Sequence, residues 1–174
     1  APPPELGFKV VGYLPYYRDP LAIPDIKFRM TNVVNYAFAT IDGNGLPVVN
    51  NTTRLGQAAS KVRNNNAKIL ISINGVAADF KNMAATAAGR TAFITNTMNI
   101  VRQYQLHGVD MDWEFPSTAD GTDQTFTLLM KELSDSCHLD AKYYLAAAIT
   151  AGKYAGSYRD AIKAELFDYV DWFN

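Results

Sequence analysis

The stretch GVDMDWEFP, residues 108–116, alternates acidic and apolar residues in the second half of a 174-residue chain. Successive side chains of a β-strand point to opposite faces, so Asp110, Asp112 and Glu114 share one face. The opposite face carries four apolar side chains that we expect to pack beneath helices, namely Val109, Met111, Trp113 and Phe115. A strand covered in this way is typical of a parallel sheet with helices against it.

A row of three acids destabilises a strand that has only a structural role. Neighbouring carboxylates repel one another and lose hydration when buried, so a fold keeps them mainly where their perturbed pKa values are used. Barrel enzymes place their reacting groups at the C-terminal ends of their strands. The order along the strand therefore predicts that Glu114 reaches a ligand while Asp110 stays deep.

The rest of the chain repeats the same unit. Strand-like runs are predicted at 9–14, 32–41, 68–74, 108–115, 143–150 and 169–174, with helices at 53–65, 89–104 and 122–136 and a tight turn at 42–45. The strand spacing averages about 32 residues, which matches one unit of a (β/α)₈ barrel. We therefore predict the α/β class and a TIM-type barrel of which six of eight units have begun.

An open doubly wound sheet is the competing architecture, because six strands are enough for it. The Gly-x-Gly-x-x-Gly turn that usually follows its first strand is missing here. An open six-strand barrel, in turn, would leave two sheet edges unpaired. We expect residues 1–174 to form one catalytic barrel domain, truncated at its C-terminus and completed by further C-terminal sequence.

Composition excludes several classes of protein. The chain is 48% hydrophobic and 19% charged, as expected for a folded protein. Its formal net charge of -1 predicts no positive electrostatic field that would attract nucleic acid or anionic lipid. Its longest apolar runs fall short of the roughly 18 residues of a membrane-spanning helix, so no membrane insertion is expected. The start at Ala1-Pro2-Pro3-Pro4 favours a processed protein that is secreted, periplasmic or at the cell surface.

Other chemistries fit the acidic strand poorly. An EF-hand calcium loop would need Gly and Glu where this chain has Phe115 and Gly121. The two histidines, His107 and His138, are not on the acidic face, so no metal and no cofactor are predicted. Cys137 next to His138 resembles a thiol nucleophile, but adjacent helical residues point about 100° apart.

The residues from Gly108 to Pro116 resemble the D-G-x-D-x-D-x-E signature of glycoside hydrolase family 18, and the Trp-Glu-Phe-Pro ending resembles its chitinase branch. Three other segments are similar to the family in order and spacing: Val11-Gly12-Tyr13, Asn35-Tyr36-Ala37-Phe38 and Ser72-Ile73-Asn74-Gly75. The resemblance extends over the first six strands and implies the barrel fold.

Three departures from the family pattern stand out. His107 occupies the place of the first Asp of the signature, a residue that supports the strand in the family. Asn74 replaces the first glycine of S-x-G-G and so adds a side chain beside the cleft. The family's Met-x-Tyr-Asp motif and its Trp on the eighth strand lie beyond Asn174.

Geometry alone disfavours a two-carboxylate mechanism, because Asp112 and Glu114, two apart on one strand, cannot flank a sugar. The resemblance instead implies retaining, substrate-assisted catalysis on β-1,4-linked N-acetylglucosamine polymers, in which the 2-acetamido carbonyl attacks. It implies Glu114 as general acid and base and Asp112 as the group orienting the acetamido N–H. Asp110 would share a proton with Asp112.

The remaining site residues concern binding and support. Tyr13 and Ser72 are expected to bond to Asp110 from below, Tyr13 and Phe38 to line the cleft, and Tyr16, Tyr17 and Tyr154 to lie on loops within reach of sugar. The expected partner is an N-acetylglucosamine-containing oligo- or polysaccharide. Two alternatives stay open: an endo-β-N-acetylglucosaminidase acting on N-glycan cores, and a non-catalytic chitooligosaccharide-binding lectin.

Overall fold

A computed structural model describes residues 7–152 and 155–174, and its centre is one seven-stranded sheet. Six strands are parallel and adjacent in chain order: β1 (Val11–Pro15), β2 (Val33–Ile41), β4 (Lys68–Asn74), β5 (Gly108–Asp112), β6 (Tyr144–Ala147) and β7 (Trp172–Phe173). The short β3 (Pro47–Val49) pairs antiparallel with the end of β2. The predicted turn at 42–45 is confirmed, because it joins these two strands.

Helices connect the parallel strands: α1 (Asp25–Arg29), α2 (Thr52–Asn64), α3 (Ala77–Ala84), α4 (Ala87–Gln103), α5 (Thr122–His138) and α6 (Leu166–Tyr169). Side chains cap two of the long ones, since Asn51 accepts from the Arg54 N–H at 3.1 Å and Thr86 from the Gly89 N–H at 3.0 Å. The three predicted helices correspond to α2, α4 and α5. The prediction omitted α1, α3 and α6, of eight residues or fewer, because periodicity is weak over so few residues.

The main hydrophobic core lies between the sheet and these helices. On β5 and just after it, Val109, Met111 and Trp113 belong to this core. The Trp113 ring stacks on Phe80 of α3 with centroids 5.1 Å apart and meets Phe126 of α5 edge-on at 5.7 Å. The prediction that this face packs under helices is correct for these three residues.

Phe115 departs from that prediction. The strand β5 ends at Asp112, so the alternation of faces is not enforced beyond Trp113. Phe115 is only partly buried, lies outside the core, and its ring is 5.6 Å from the ring of Tyr158. The predicted strand was therefore three residues too long at its C-terminal end.

Two strands approach so closely at Gly108 that no side chain fits there. A Cβ atom on Gly108 would lie 2.0 Å from the carbonyl oxygen of Tyr144 on the neighbouring β6. The backbone φ of +158° at this residue is also one that side chains rarely adopt. Glycine is thus required where β5 begins, two residues before the first acid.

The α/β class is confirmed, and the sheet forms part of a barrel. Within the described residues, β1 and β7 are the two ends of the parallel order and do not pair with each other. Six of the eight parallel strands of a TIM-type barrel are present. Among the described helices, none is both long and apolar enough to span a membrane.

Candidate active site

The inner face of the sheet carries polar side chains together with a small apolar cluster. Register pairs Tyr13 with Asn35, and Ser72 with Asp110. The same face also carries a separate apolar cluster, formed by Val33, Leu70 and Ala146 with Val11 and Trp172 packed against it. The acidic residues therefore point away from the main core, as the alternation of side chains predicts.

Asp110 is the centre of these polar side chains and is completely buried. Its Oδ2 accepts hydrogen bonds from the Tyr13 hydroxyl at 3.0 Å, the Asn35 amide at 2.8 Å and the Ser72 hydroxyl at 2.8 Å. Its Oδ1 accepts from the Asn174 amide at 2.9 Å. One carboxyl thus has four neutral donors from four other segments of the chain.

These bonds also demonstrate that the sheet is curled. Tyr13 lies on β1, at one end of the strand order, and Asn174 directly follows β7, at the other end. Both reach the same carboxyl on β5. A flat sheet with strands about 4.8 Å apart would hold β1 too far from β5 for such a bond, so the inner face is concave.

Burial raises the pKa of Asp110 from 3.8 to about 6. The hydrogen bonds from Ser72 and Tyr13 oppose this rise because they stabilise the charged form, and the negative charge of Asp112 adds to it. Loss of hydration is the larger effect. Asp110 is therefore a carboxyl that changes its protonation near the slightly acidic range.

Asp112 lies at the C-terminal end of β5 and is 5% exposed. Its Oδ2 accepts a hydrogen bond from the Asn74 amide of β4 at 3.0 Å. The negative charge of Asp112 acts on the neighbouring Asp110, and the sharing of a proton between the two carboxyls stays a prediction.

Glu114 is two residues past the end of β5 and is exposed to solvent. It is exposed because the strand, and with it the enclosing sheet, ends at Asp112, and its predicted contact with a ligand stays a prediction. The pKa of Glu114 is nevertheless raised. Partial loss of hydration contributes most, followed by the charge of Asp112 and a hydrogen bond with it. Glu114 thus combines access to solvent with an increased affinity for its proton.

Tyr13 and Phe38 lie side by side at the rim of the concave face. Their ring centroids are 6.2 Å apart, and Tyr13 is 42% exposed while its hydroxyl donates to Asp110. Burial, together with the negative charge of Asp110, raises the Tyr13 pKa, so the hydroxyl remains a donor. Phe38 lies at a register shift of β2 and is half-buried. Both rings are placed to meet a ligand, and that role stays a prediction.

Two of the three loop tyrosines are within the described residues. Tyr16 and Tyr17, just past β1, are exposed and pack edge-on with centroids 5.6 Å apart. Tyr154 lies outside the described residues, as do the N-terminal residues on which the expectation of export rests. Contact between sugar and any of these tyrosines stays a prediction.

Sequence reasoning assigned no role to two residues of this network. Asn35 is fully buried on β2 and donates to Asp110, and Asn174 donates to the same carboxyl. The alternation of β2 was the available signal for Asn35, since it puts the amide on the face opposite to the buried Tyr36. No local pattern indicated Asn174, because its contact depends on how far the sheet curls.

His107 supports the strand at a distance from the acids. Its Nδ1 accepts a hydrogen bond from the Ile69 N–H at 3.1 Å and so ties the start of β5 to β4. Burial lowers the pKa of His107 to about 4, and the positive charges of Lys68 and Arg63 add to this effect. The histidine is therefore neutral at neutral pH. Among the described residues no group of three or more His, Cys, Asp or Glu side chains is arranged to hold a metal ion.

The concave face of a partial TIM-type barrel carries Asp112 at the C-terminal end of β5 and Glu114 just past it, and this is the end at which barrel enzymes place their reacting groups. Comparison with known families agrees: the model of glycosyl hydrolases family 18 matches residues 9–174. The chain belongs to this family, as the motif at 108–116 indicates. Its relatives are chitinase-like, and chitinase A1 of Niallia circulans is 32% identical over 142 residues.

Two solved structures share the fold over nearly the whole chain. A chitinase-like agglutinin from Robinia pseudoacacia has a TM-score of 0.82 at 24% identity over 94% of this chain. A mutant class V chitinase from Nicotiana tobaccum in complex with NAG4 has a TM-score of 0.78 at 22% identity, again over 94%. The chain spans 53% and 50% of these two structures and 20% of the bacterial chitinase.

Proposed function

We propose that this chain carries the catalytic acids of a retaining glycosidase that hydrolyses β-1,4-linked N-acetylglucosamine polymers. The observation that supports this most directly is the position of Glu114, which combines solvent access with a raised pKa beside Asp112. A general acid has to keep its proton and to be accessible to the glycosidic oxygen, and the raised pKa and the exposure of Glu114 favour these two properties.

In the proposed reaction, Glu114 gives its proton to the glycosidic oxygen as the bond from that oxygen to C1 breaks. The carbonyl oxygen of the sugar's 2-acetamido group bonds to C1 and forms an oxazolinium ion. Glu114, now a carboxylate, takes a proton from a water molecule that attacks C1 and opens the ring. Because C1 undergoes two substitutions, each with inversion, its configuration is retained.

Asp112 would hold the acetamido N–H and stabilise the positive charge that develops on the oxazolinium ring. Since the Asn74 amide bonds to Oδ2, we propose Oδ1 as the oxygen that contacts the substrate. Asp110, bonded to four donors, would keep the floor of the site fixed beneath it. The proposed roles thus follow the order of the three carboxyls from the interior to the solvent.

The relatives add support at the level of substrate. The bacterial relative is named a chitinase, and the Nicotiana structure holds NAG4. Since the chain spans about half of the solved structures, we propose that the rest of the barrel comes from additional C-terminal sequence and that activity belongs to the complete barrel. We also propose that the protein acts outside the cytoplasm, where such polymers occur.

The test is Glu114→Gln in the full polypeptide that contains this chain. Turnover of a chromogenic chitooligosaccharide should fall by about 10²–10⁴-fold, the usual contribution of a general acid, with little change in melting temperature. Glu165→Gln, at an exposed position before α6, is the matched control and should keep the parent rate. An unchanged rate in the Glu114 variant would refute the proposal.

A non-catalytic lectin is the second candidate, and the similarity to the Robinia agglutinin favours it. It predicts binding of chitooligosaccharide by the parent protein without turnover, and equal binding by Glu114→Gln. Calorimetry with a tetrasaccharide together with a product assay separates the two functions. Turnover of N-glycan cores without turnover of chitin would instead indicate an endo-β-N-acetylglucosaminidase.

A further inference from the structure

Asn74 is the last residue of β4, and the register places it directly beside Asp112, the last residue of β5. Paired residues on neighbouring strands project to the same face of the sheet. Asn74 is half-buried and therefore lies at the boundary between the enclosed floor of the site and solvent. This is also the position at which the S-x-G-G pattern has glycine, a residue without a side chain to contribute.

The Asn74 side chain makes a single directed contact. Its Nδ2 donates to Asp112 Oδ2 at 3.0 Å, while the other side-chain hydrogen bond of Asp112 is with Glu114. Amide donation favours the ionised form of a carboxyl without adding a charge to the site. It also restrains rotation of the carboxylate, because one of its two oxygens is held.

Few titratable groups surround Asp112, and its other neighbours are neutral. The titratable groups that act on it are Asp110 and Glu114 from its own segment and Tyr13 from β1. The side chains that face this region from the other elements are neutral: Asn35 of β2, Ser72 and Asn74 of β4, and Asn174 after β7. Asn74 is therefore the neutral donor on which the orientation of Asp112 depends.

We propose that Asn74 is a positioning residue that holds one oxygen of the Asp112 carboxyl, so that the other oxygen is turned towards Glu114 and the substrate. The inference rests on the proposed function, because it concerns the same carboxyl pair. It goes beyond that function in giving a specific task to a side chain that the family motif does not supply.

The direction of the effect follows from the charges. With its donor removed, the Asp112 carboxyl rotates more freely and turns away from Glu114 for part of the time. Its negative charge then acts less on Glu114, which loses its proton at lower pH. The basic limb of the pH profile, where the general acid is lost, should move towards acid while the protein stays folded.

The experiment uses Asn74→Gly and Asn74→Ala in the full polypeptide, Asn74→Gln as the variant that keeps an amide donor, and Asn96→Ala on the exposed face of α4 as control. The first two should lower kcat/KM by about tenfold on the basic side of the profile, the size expected for a lost hydrogen bond to a charged group. Asn74→Gln should recover part of this loss, and Asn96→Ala should match the parent.

A second readout does not depend on turnover. Carbon-13 NMR titration of the side-chain carboxyls should show the midpoint of Glu114 falling in Asn74→Gly and Asn74→Ala, because Asp112 raises the pKa of Glu114 less once its carboxyl is no longer held. An unchanged midpoint in a variant that melts like the parent would overturn the inference. If the parent hydrolyses no chitooligosaccharide, the proposed function fails, and the titration still decides the role of Asn74.

Discussion

The two faces of β5 differ in polarity and in the interactions that stabilise them, although their residues alternate along one strand. Met111 and Trp113 are buried in the main core, where the Trp113 ring packs against Phe80 and Phe126. Asp110 and Asp112 are buried to a similar degree but depend on hydrogen bonds from other strands. The outer face stabilises the fold by removing apolar surface from water, whereas the inner face requires compensation for lost hydration.

This contrast separates stability from chemistry within a few residues. A substitution on the outer face should damage folding first, and one on the inner face should damage chemistry first. Glu114→Gln, described above, is the largest effect expected on the inner side. The predictions below test the same contrast from both faces, in decreasing order of effect.

Trp113→Ala should cost about 3–5 kcal/mol of the free energy of unfolding, because it removes a large side chain that stacks on Phe80 and meets Phe126. Urea denaturation followed by circular dichroism measures the loss. Phe8→Ala is the matched control: this ring is 65% exposed, so its removal should change the unfolding free energy by less than about 0.5 kcal/mol. Similar losses in both variants would contradict the assigned core.

Asp110→Asn should make the folded chain more stable at neutral pH while reducing turnover. The folded pKa of about 6 lies above the ordinary 3.8, so the native state holds its proton more tightly and stability is lost as pH rises through about 6. At pH 7 the parent has therefore lost about 3 kcal/mol of its free energy of unfolding, and Asp110→Asn should recover this loss. The gain is reduced by about 1 kcal/mol for each donor that the amide cannot satisfy.

Urea unfolding at several pH values tests this sign. The stability difference between Asp110→Asn and the parent should be small near pH 4, grow up to about pH 6 and then level off. A difference that is the same at all these pH values would show that Asp110 is ionised throughout and that its hydrogen bonds outweigh its burial. Ser117→Ala, buried but separate from the carboxyls, serves as a control with no such pH dependence.

Tyr13→Phe should have the smallest effect, about 1 kcal/mol, since it removes one of four donors to Asp110 and leaves the ring in place. The loss should appear above about pH 6, where the carboxyl is charged, and shrink at lower pH. The Asp110 midpoint should move upwards in a carboxyl NMR titration. Tyr158→Phe, whose ring is 53% exposed, is the control and should leave that midpoint unchanged.

Local pattern was sufficient to predict the outer face and the parallel strand order. Each predicted strand overlaps an observed one, because a buried strand is recorded in consecutive apolar residues. The assignment of the acids to one face needed only the alternation at 108–114. The family resemblance was available from the same stretch and is confirmed by the family match.

What could not be predicted depends on contacts between distant strands. The donors Asn35 and Asn174 are 75 and 64 positions from Asp110, and their meeting requires both register and curl. The exposure of Glu114 depends on where β5 stops, which alternation alone extends too far. Asn74 was noticed only as a departure from a pattern, while its bond to Asp112 is visible only once β4 and β5 are paired.

The network around Asp110 also has a consequence for biosynthesis. Tyr13, Asn35 and Ser72 are made before Asp110, but Asn174 follows it by 64 positions. During translation the Asp110 carboxyl therefore lacks one of its four hydrogen-bond donors until the β7 region has left the ribosome and packed against the sheet. The hydrogen-bond network around Asp110 is therefore completed after its other three donors are already available, so folding of the β7 region is the step that closes it.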